Sequence, residues 1–268
     1  MILVNGRPQE LLSVSDRSFQ YGDGCFSTLL TCKKQIQAWN YHKERLASCL
    51  KTLRIPAPNW GDVYAWCNKV ALDKEKAGLK IHISRGTGGR GYGIAGTSAP
   101  TVTITAFEYP AHYDEWTSKG VSLGICETHL GHQPLLAGLK HNNRLEQVLV
   151  KAEIEQNGWN EAIVCDFEGN VIETSVANLF WVDSEFRLCT PKLNLCGVAG
   201  IMRKQVIEEA ITKKMTLVER VFSIEELLNA KEVFMTNALL QVCPITCIDK
   251  THFEIGSLTK TFQEIFVT

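Results

Sequence analysis

A lysine that follows a glycine-containing loop is the residue of this chain best suited to covalent chemistry. Lys140 lies in the segment from Ala137 to Gln147, directly before an amphipathic stretch that predicts a helix. The partial positive charge at a helix start disfavours an ammonium group, so an amine there is more readily neutral. A neutral amine can attack a carbonyl carbon. Taken alone, Lys140 is also compatible with an ordinary solvated lysine.

Two later segments supply polar groups that complement such an amine. Glu173 ends a short apolar run and enters a polar turn, where its carboxylate could hold a proton on a ring nitrogen. Cys196 to Arg203 is a loop of small residues that runs into a predicted helix, and it offers free backbone N–H groups to a phosphate. An aldehyde-accepting lysine, a carboxylate and a phosphate cradle are the parts that a pyridoxal phosphate site needs.

At these residues the sequence resembles the fold-type IV pyridoxal phosphate enzymes, which include branched-chain and D-amino acid aminotransferases. Within that group it is most similar to the 4-amino-4-deoxychorismate lyases. The run Lys-His-x-Asn-Arg-Leu-Glu from Lys140 and the run Arg-Gly-x-Gly-Gly-Arg-Gly-Tyr from Arg85 favour the lyases. The resemblance covers nearly the whole chain, and its other stretches are Ser15 to Arg17, Tyr21 to Phe26, His42 to Leu46, Glu173 to Trp181 and Gly200 to Arg203.

The resemblance implies an α+β fold in two domains, with pyridoxal 5'-phosphate in the interdomain cleft. We expect a small N-terminal α+β domain at residues 1–115 and a larger C-terminal α+β domain at residues 116–268 that carries the lysine. The family is usually homodimeric, with loops of one subunit closing the site of the other. The implied reaction converts 4-amino-4-deoxychorismate to 4-aminobenzoate and pyruvate, for folate biosynthesis.

The resemblance also assigns the cofactor-binding residues. Lys140 is expected to bind the cofactor covalently and to shuttle protons, and Glu173 is expected to pair with its ring nitrogen. Arg45 is expected to bind the phosphate, because a guanidinium fork suits a dianion. Ile201 and Met202 would offer backbone N–H groups to the same phosphate. Many relatives have a hydroxyl residue at position 202, which methionine cannot copy.

Further assignments concern the rim of the cofactor and the substrate. Asn237 falls in the segment that completes the phosphate cup in relatives, and Arg144 is expected near the ring hydroxyl unless it caps a helix. Thr28 is expected beside the catalytic lysine, where an ordinary strand threonine is the alternative. Arg85 and Arg90 flank the start of a glycine-rich loop. Their forks would suit a substrate with two carboxylates, whereas solvated loop arginines are the alternative.

Two other functions remain open at this point. A D-amino acid or branched-chain aminotransferase would share the whole cofactor apparatus and differ only after proton removal. A non-catalytic cofactor-binding protein belongs to another class. Lys140, Glu173 and Arg45 argue against it, because such a protein has no need of a reactive lysine.

Composition excludes several classes of protein. The 268 residues are 45% hydrophobic, which is ample for a buried core, and the net charge of −1 implies no nucleic acid partner. The apolar runs are too short for a membrane span, and the N-terminal segment is too short for a signal peptide. Ten scattered cysteines lack the paired spacing of a zinc site. We therefore expect no metal, and reduced, mostly buried thiols in a cytoplasmic protein.

Periodicity predicts the main elements. Asn5 and Gly6 suit a tight hairpin turn, and the glycine-rich residues 85–96 predict a flexible loop. A face of Leu145, Val148, Leu149 and Ala152 predicts a helix, capped by Asn143 with Glu146 three residues on. A domain junction is expected within residues 111–119. Other helices are predicted over 42–53, 61–76, 201–213 and 257–266, and strands over 26–31, 35–39, 79–84, 101–106, 161–166, 171–173 and 232–236.

Overall fold

The computed structural model describes residues 1–266, and the chain divides into two compact units. The first unit comprises residues 1–109 together with residues 139–143. The second comprises residues 110–138 and the chain from residue 144 onward. The lysine segment therefore groups with the first unit, although the sequence suggested the second. The division expected at residue 115 falls inside a helix of the second unit.

The first unit is one antiparallel sheet with helices α2 and α3 on one face. Its strands run in the order β2-β1-β6-β5-β3-β4. The elements are β1 (Ile2–Val4), β2 (Arg7–Pro8), α1 (Arg17–Tyr21), β3 (Gly24–Cys32), β4 (Gln35–Ile36), α2 (Trp39–Leu53), α3 (Trp60–Val70), β5 (Ala77–Ser84) and β6 (Thr101–Glu108).

Alternation along the strands sorts the two faces of this sheet. In β5, Leu79, Ile81 and Ile83 are fully buried in the core that α2 and α3 complete. Lys80 and His82 alternate with them and point to the other face, because successive strand side chains project in opposite directions. Apolar residues therefore hold the sheet against the helices, while the opposite face keeps polar side chains.

The second unit is built around a sheet that closes on itself. Its strands run in the order β12-β11-β10-β13-β14-β7-β8-β9, and β9 also pairs with β10, so six of them form a closed ring. The elements are α4 (His112–Lys119), β7 (Val121–Ile125), α5 (Leu145–Gln156), β8 (Glu161–Cys165), β9 (Val171–Thr174), β10 (Asn178–Val182), β11 (Leu188–Pro191), α6 (Ile201–Thr212), β12 (Leu217–Arg220), α7 (Ile224–Leu228), β13 (Glu232–Asn237), β14 (Gln241–Ile248), β15 (Thr251–His252) and α8 (Ser257–Ile265).

Most predicted elements are present with shifted ends. Asn5 and Gly6 have φ of 46° and 78°, as the predicted hairpin turn requires. The predicted helix over residues 61–76 ends at Val70, because the chain turns away to enter β5. The mixed helices and sheets confirm the α+β class. Among residues 1–266, no helix is long and apolar enough to cross a membrane.

The apolar face that predicted α5 is solvent-exposed in the structure. Leu145 is 72%, Val148 59% and Leu149 54% exposed, whereas Val150 and Ile154 are buried. Strand β8 contacts the opposite side of the helix. Asn143 is not the N-cap either. Its side-chain nitrogen donates to the carbonyl of Gly22 at 3.1 Å, and the helix begins after Arg144 without a side-chain cap.

Candidate active site

The lysine lies on a short extended segment at the edge of the first sheet. The amide N–H of Phe26 donates to the carbonyl of Lys140 at 2.9 Å, and that of Asn142 donates to Gly24 at 2.9 Å. Cys25 and His141 are bridge partners between these two bonds. Lys140 is therefore directly opposite Phe26, so both side chains lie on the sheet face that points away from α2 and α3.

Phe26 lies between two lysine side chains on this face. Lys140 Nζ and Lys80 Nζ are each 4.7 Å from the centre of the Phe26 ring. Lys80 is the cross-strand partner of Thr28. The predicted lysine and the predicted threonine therefore share one surface, and we call Phe26, Thr28, Lys80, His82 and Lys140 the lysine face.

A cavity of about 210 Å³ adjoins His82 on the same face. Burial, reinforced by the positive charge of Lys80, lowers the pKa of His82 to about 4, so the imidazole is neutral at ordinary pH. Most of the side chains that line the cavity are polar. The lining residues are Leu12, Asp16, Ser18, Phe19, His82, Ser84, Thr101 and Thr103.

Arg45 reaches the other face of β3 from helix α2. Its Nη2 donates to Ser27 Oγ at 2.6 Å, and Ser27 Oγ is 2.7 Å from Nδ1 of the fully buried His42. Burial and the nearby Arg45 charge hold the pKa of His42 well below its usual value, so its ring is neutral. Ser27 Oγ therefore accepts from Arg45 and shares a second hydrogen bond with His42, whose direction depends on the His42 tautomer. This chain of hydrogen bonds fixes the direction of the guanidinium.

Arg85 is committed to structural contacts. Its Nε and Nη2 donate to the carboxylate of Asp23 at 2.7 and 3.0 Å, and further donors reach the carbonyls of Leu53 and Arg54. Burial would raise the pKa of Asp23, but hydrogen bonds from Arg85 and Arg17 outweigh it and lower that pKa. With its donors directed at the end of α2, Arg85 is poorly placed for the substrate role that the sequence suggested.

The glycine-rich loop is anchored rather than loose at its middle. Arg17 donates to the carbonyls of Gly91 and Tyr92 at 3.0 and 3.3 Å. The hydroxyl of Tyr21 accepts from the Gly91 amide at 3.0 Å. Arg90 is exposed beside this anchor, so its side chain remains accessible to an anion.

In the second unit, Glu173 is buried at the end of β9 and faces the loop that precedes α6. Its Oε2 accepts from the Val198 amide at 2.9 Å and from Asn178 Nδ2 at 3.4 Å. Asn178 also accepts from the Gly200 amide at 3.0 Å. The backbone of Gly138 pairs with Val198 along the same loop. These contacts hold the carboxylate in one orientation.

The start of α6 has the features of an anion cradle. Gly200 occupies the N-cap position without a side-chain cap, so the first amides of the helix are open to a ligand. A Cβ at Gly200 would lie 2.3 Å from Asn178 Oδ1, which is why glycine is needed there. Thr236 is the cross-strand partner of Asn178, and its buried hydroxyl has no hydrogen bond within residues 1–266. Such a buried hydroxyl calls for a partner.

The remaining predicted residues, Ile201, Met202, Asn237 and Arg144, all belong to the second unit. The side chains of Ile201 and Met202 are buried in the core, so only their backbones can meet a phosphate. Asn237 Oδ1 accepts from the amides of Leu239 and Leu240 at 2.8 and 2.9 Å and shapes the turn after β13. Arg144 is half-buried at the N-cap position of α5.

Comparisons with known proteins show the family to which the chain belongs. The sequence model of the family "Amino-transferase class IV" matches residues 24–248. The chain belongs to the class IV aminotransferase family. It is 51% identical over 267 residues to the aminodeoxychorismate lyase of Vibrio harveyi, covering 98% of each chain. The crystal structure of the 4-amino-4-deoxychorismate lyase of Pseudomonas aeruginosa superposes with a TM-score of 0.92 at 35% identity, covering 99% of this chain and 97% of that one.

An aminotransferase of the family is more distant. The D-alanine aminotransferase of Bacillus licheniformis is 25% identical, with 98% of this chain and 94% of that protein covered. Together these relatives confirm the predicted fold-type IV, pyridoxal-phosphate-dependent family for this class IV protein. They favour its lyase branch over its transaminases.

Sequence reasoning missed three residues of these surfaces. Lys80 and Phe26 flank the predicted lysine, and Thr236 supplies the orphaned hydroxyl beside α6. The sequence held a signal for Lys80, because Lys80 occupies a polar position in the alternation of β5, on the face opposite the core. The sequence of this class IV protein carries no signal for Phe26 or Thr236, because each looks like an ordinary strand residue.

Proposed function

We propose that this class IV protein is a pyridoxal-phosphate-dependent lyase that converts 4-amino-4-deoxychorismate to 4-aminobenzoate and pyruvate, in folate biosynthesis. The observation that carries the proposal is the near-full-length similarity to the Vibrio harveyi lyase. The lysine face supports it, because a lysine, a hydroxyl and a second cation share one surface there.

The residues present fit the cofactor of the family. When bound, pyridoxal phosphate accepts the electrons released as a proton leaves the carbon that bears the substrate amine. The uncapped start of α6, with the amides of Ile201 and Met202, would hold its phosphate. Thr236 Oγ would gain its missing partner there. Arg45, oriented through Ser27, would add a charged hydrogen bond.

Asn237 and Arg144 remain candidates for the rim of the cofactor. The Asn237 side-chain oxygen is occupied by two backbone amides, so we assign its contribution to the shape of the turn. Arg144 would approach the cofactor ring from its position before α5.

The chain's own groups would then divide the proton transfers. Lys140 would hold the cofactor through its amine and would serve as the base that takes the proton from the amine-bearing carbon of the substrate. Glu173, fixed by Val198 and Asn178, would keep the cofactor's ring nitrogen protonated. Thr28 lies on the same face as Lys140, and either group can protonate the departing enolpyruvyl group. Aromatisation of the remaining ring supplies the driving force.

The lysine face also suits the shape and charge of the substrate. Phe26 offers an aromatic surface to a six-membered ring, and the Nζ atoms of Lys140 and Lys80 are each 4.7 Å from its centre. The ring carboxylate and the amine of 4-amino-4-deoxychorismate lie at opposite ends of that ring. We assign one substrate carboxylate to Lys80 and retain Arg90 as a further candidate. Because Asp23 and backbone carbonyls occupy its donors, we assign Arg85 a structural role and no contact with the substrate.

One experiment separates this lyase from an aminotransferase. The purified protein is incubated with enzymatically prepared aminodeoxychorismate, and 4-aminobenzoate is followed by its fluorescence. D-alanine with 2-oxoglutarate is assayed in parallel. We expect 4-aminobenzoate to form with turnover and transamination to be far slower. Transamination without 4-aminobenzoate would overturn the proposal, and cofactor absorbance without either activity would favour a binding protein.

We also propose a homodimer in the cytoplasm. The exposed leucine and valine side chains of α5 support a dimer, because contiguous apolar surface of this kind is typical of protein interfaces. The cytoplasmic location is supported by the ten free cysteines, because a reducing compartment keeps thiols from forming disulfides.

A further inference from the structure

Three side chains that the proposed reaction does not use converge in the second unit. They are His132 from the loop after β7, Asp166 from the turn after β8, and Cys196 from the loop before α6. Their potential ligand atoms all lie within 4.8 Å of one another. His132 Nε2 is 2.8 Å from Asp166 Oδ2, and the two side chains are 14% and 3% exposed.

We propose that His132, Asp166 and Cys196 form a binding site for a divalent transition-metal ion of the zinc class. Imidazole, carboxylate and thiolate are the ligands that zinc takes in proteins. Three protein ligands leave a fourth position for water, which the partly exposed His132 makes accessible from solvent. The proposal does not depend on the lyase activity.

The backbone holds the three segments together before any ion arrives. The amide of Leu130 donates to Cys165 and that of Phe167 donates to Leu130, at 2.9 and 3.1 Å. On the other side, the Gln133 amide donates to the carbonyl of Leu195 at 2.7 Å. The loop that carries His132 is therefore bonded to both neighbouring ligand segments. Small side-chain rotations would bring the donors to the roughly 3.4–3.7 Å separations that tetrahedral zinc geometry implies.

The carboxylate is already oriented and charged. Asp166 Oδ1 accepts from the amides of Glu168 and Asn170 at 3.1 and 2.9 Å, and Asn170 Nδ2 donates to Oδ2 at 3.2 Å. Burial would raise the pKa of Asp166, but these hydrogen bonds and the one from His132 outweigh it and lower that pKa. A carboxylate held in this way needs little reorganisation to bind a cation.

The charge around Cys196 is negative. Burial first, and then the carboxylates of Asp166, Glu173 and Glu146, raise the pKa of the Cys196 thiol to about 12. The same negative field attracts a divalent cation. Zinc binds sulfur as the thiolate, so the thiol proton passes to solvent when that bond forms.

An alternative is that these residues serve only the fold. Cys196 lies in an apolar cluster with Cys126, Leu130 and Ile172, and Asp166 shapes the turn that follows β8. Cysteine spacing in the sequence predicted no zinc site, because the three ligands come from segments about thirty residues apart and only folding unites them. The two readings differ in whether zinc binding requires Cys196.

The test uses the cofactor-loaded protein, freed of metal with a chelator. Zinc binding is measured by equilibrium dialysis and by competition with a chromophoric chelator, for the parent and for Cys196→Ser, His132→Gln and Cys126→Ser. Cys126 is the matched control, because it is buried in the same cluster and its thiol pKa is likewise raised to about 12. We expect one zinc per chain in the parent and in Cys126→Ser.

Cys196→Ser and His132→Gln should each bind zinc at least about tenfold more weakly. Cobalt should show a thiolate charge-transfer band that Cys196→Ser lacks. Equal affinity in the parent and in Cys196→Ser, or no zinc retained by the parent, would overturn the proposal.

Discussion

Lys80 and Lys140 each place Nζ 4.7 Å from the centre of the Phe26 ring. Because the proposed function commits Lys140 to the cofactor, Lys80 is the cation of the lysine face that is available to a substrate carboxylate. We therefore propose that Lys80, together with Thr28, favours the dicarboxylate substrate of the lyase.

Replacing Lys80 by methionine tests this charge. Lys80→Met keeps a long flexible stem and removes the ammonium, so KM for aminodeoxychorismate should rise about tenfold, in line with the loss of a charged hydrogen bond. The visible spectrum of the bound cofactor should not change. Lys151→Met removes an exposed lysine of α5 and is the control. An unchanged KM would remove Lys80 from the substrate surface.

The hydroxyl of Thr28 is tested by Thr28→Val, which keeps the β-branched shape. We expect 4-aminobenzoate formation to slow by at least about tenfold, or about 1.4 kcal/mol of barrier. Steady-state kinetics measure the effect, with Thr105→Val as a control for a threonine on the same sheet face. A parent-like rate would leave Lys140 as the sole proton donor to the leaving group.

The charge of Glu173 is tested by Glu173→Gln. The amide can keep one contact with the Val198 loop but cannot hold a proton on the cofactor's ring nitrogen, so the protein should retain cofactor while kcat falls by at least about tenfold. Cofactor content and kcat are measured on the same preparation. Turnover within about threefold of the parent, roughly 0.7 kcal/mol, would contradict the assignment.

At the scale of elements, strand β3 links two kinds of chemistry. Its alternate residues point to opposite faces, so Phe26 and Thr28 meet Lys140 on one side while Ser27 meets Arg45 and His42 on the other. One strand thus positions both the lysine face and the proposed phosphate ligand. A shift of its register by one residue would exchange the two sets.

Ser27→Ala should loosen cofactor binding through Arg45. The substitution removes the hydroxyl that links Arg45 to His42, so the guanidinium loses its fixed direction and the cofactor dissociation constant should rise roughly tenfold. Thr31→Val is the matched control, because its buried hydroxyl lies on the same face of β3 without a hydrogen bond in the described chain. Dissociation constants are measured by dialysis and absorbance. An equal effect of both variants would show general destabilisation instead.

At the scale of the whole molecule, the exposed apolar side of α5 predicts self-association. Leu149→Glu places a charge in that surface and should convert a dimer to monomers in light scattering, because burying an unpaired charge is costly. Ile211→Glu makes the same change at an exposed apolar residue of α6 and should leave the dimer intact. A dimer that survives Leu149→Glu would place the interface elsewhere.

The sequence by itself determined the family and the order of most elements, and it led to the proposals for Lys140 and Glu173. Those features depend on local signals, such as the Lys140 run, the alternation of β5 and the small-residue loop before α6. Each of these signals can be read from a short stretch of sequence without knowledge of the fold. Periodicity could also locate α5, since its apolar residues recur at helical spacing. It could not tell which of two apolar sides of that helix would be buried.

Only the tertiary structure decided which residues meet. It joined residues 139–143 to β3, turned Arg85 towards Asp23 and brought His132 and Cys196 to Asp166. Asn143 lost its predicted capping role because the Gly22 carbonyl, far away in sequence, competes for its side chain. Long-range hydrogen bonds and strand pairings choose among partners that local sequence leaves equivalent, and this is the physical reason why the surroundings of Lys140 became visible only in the folded chain.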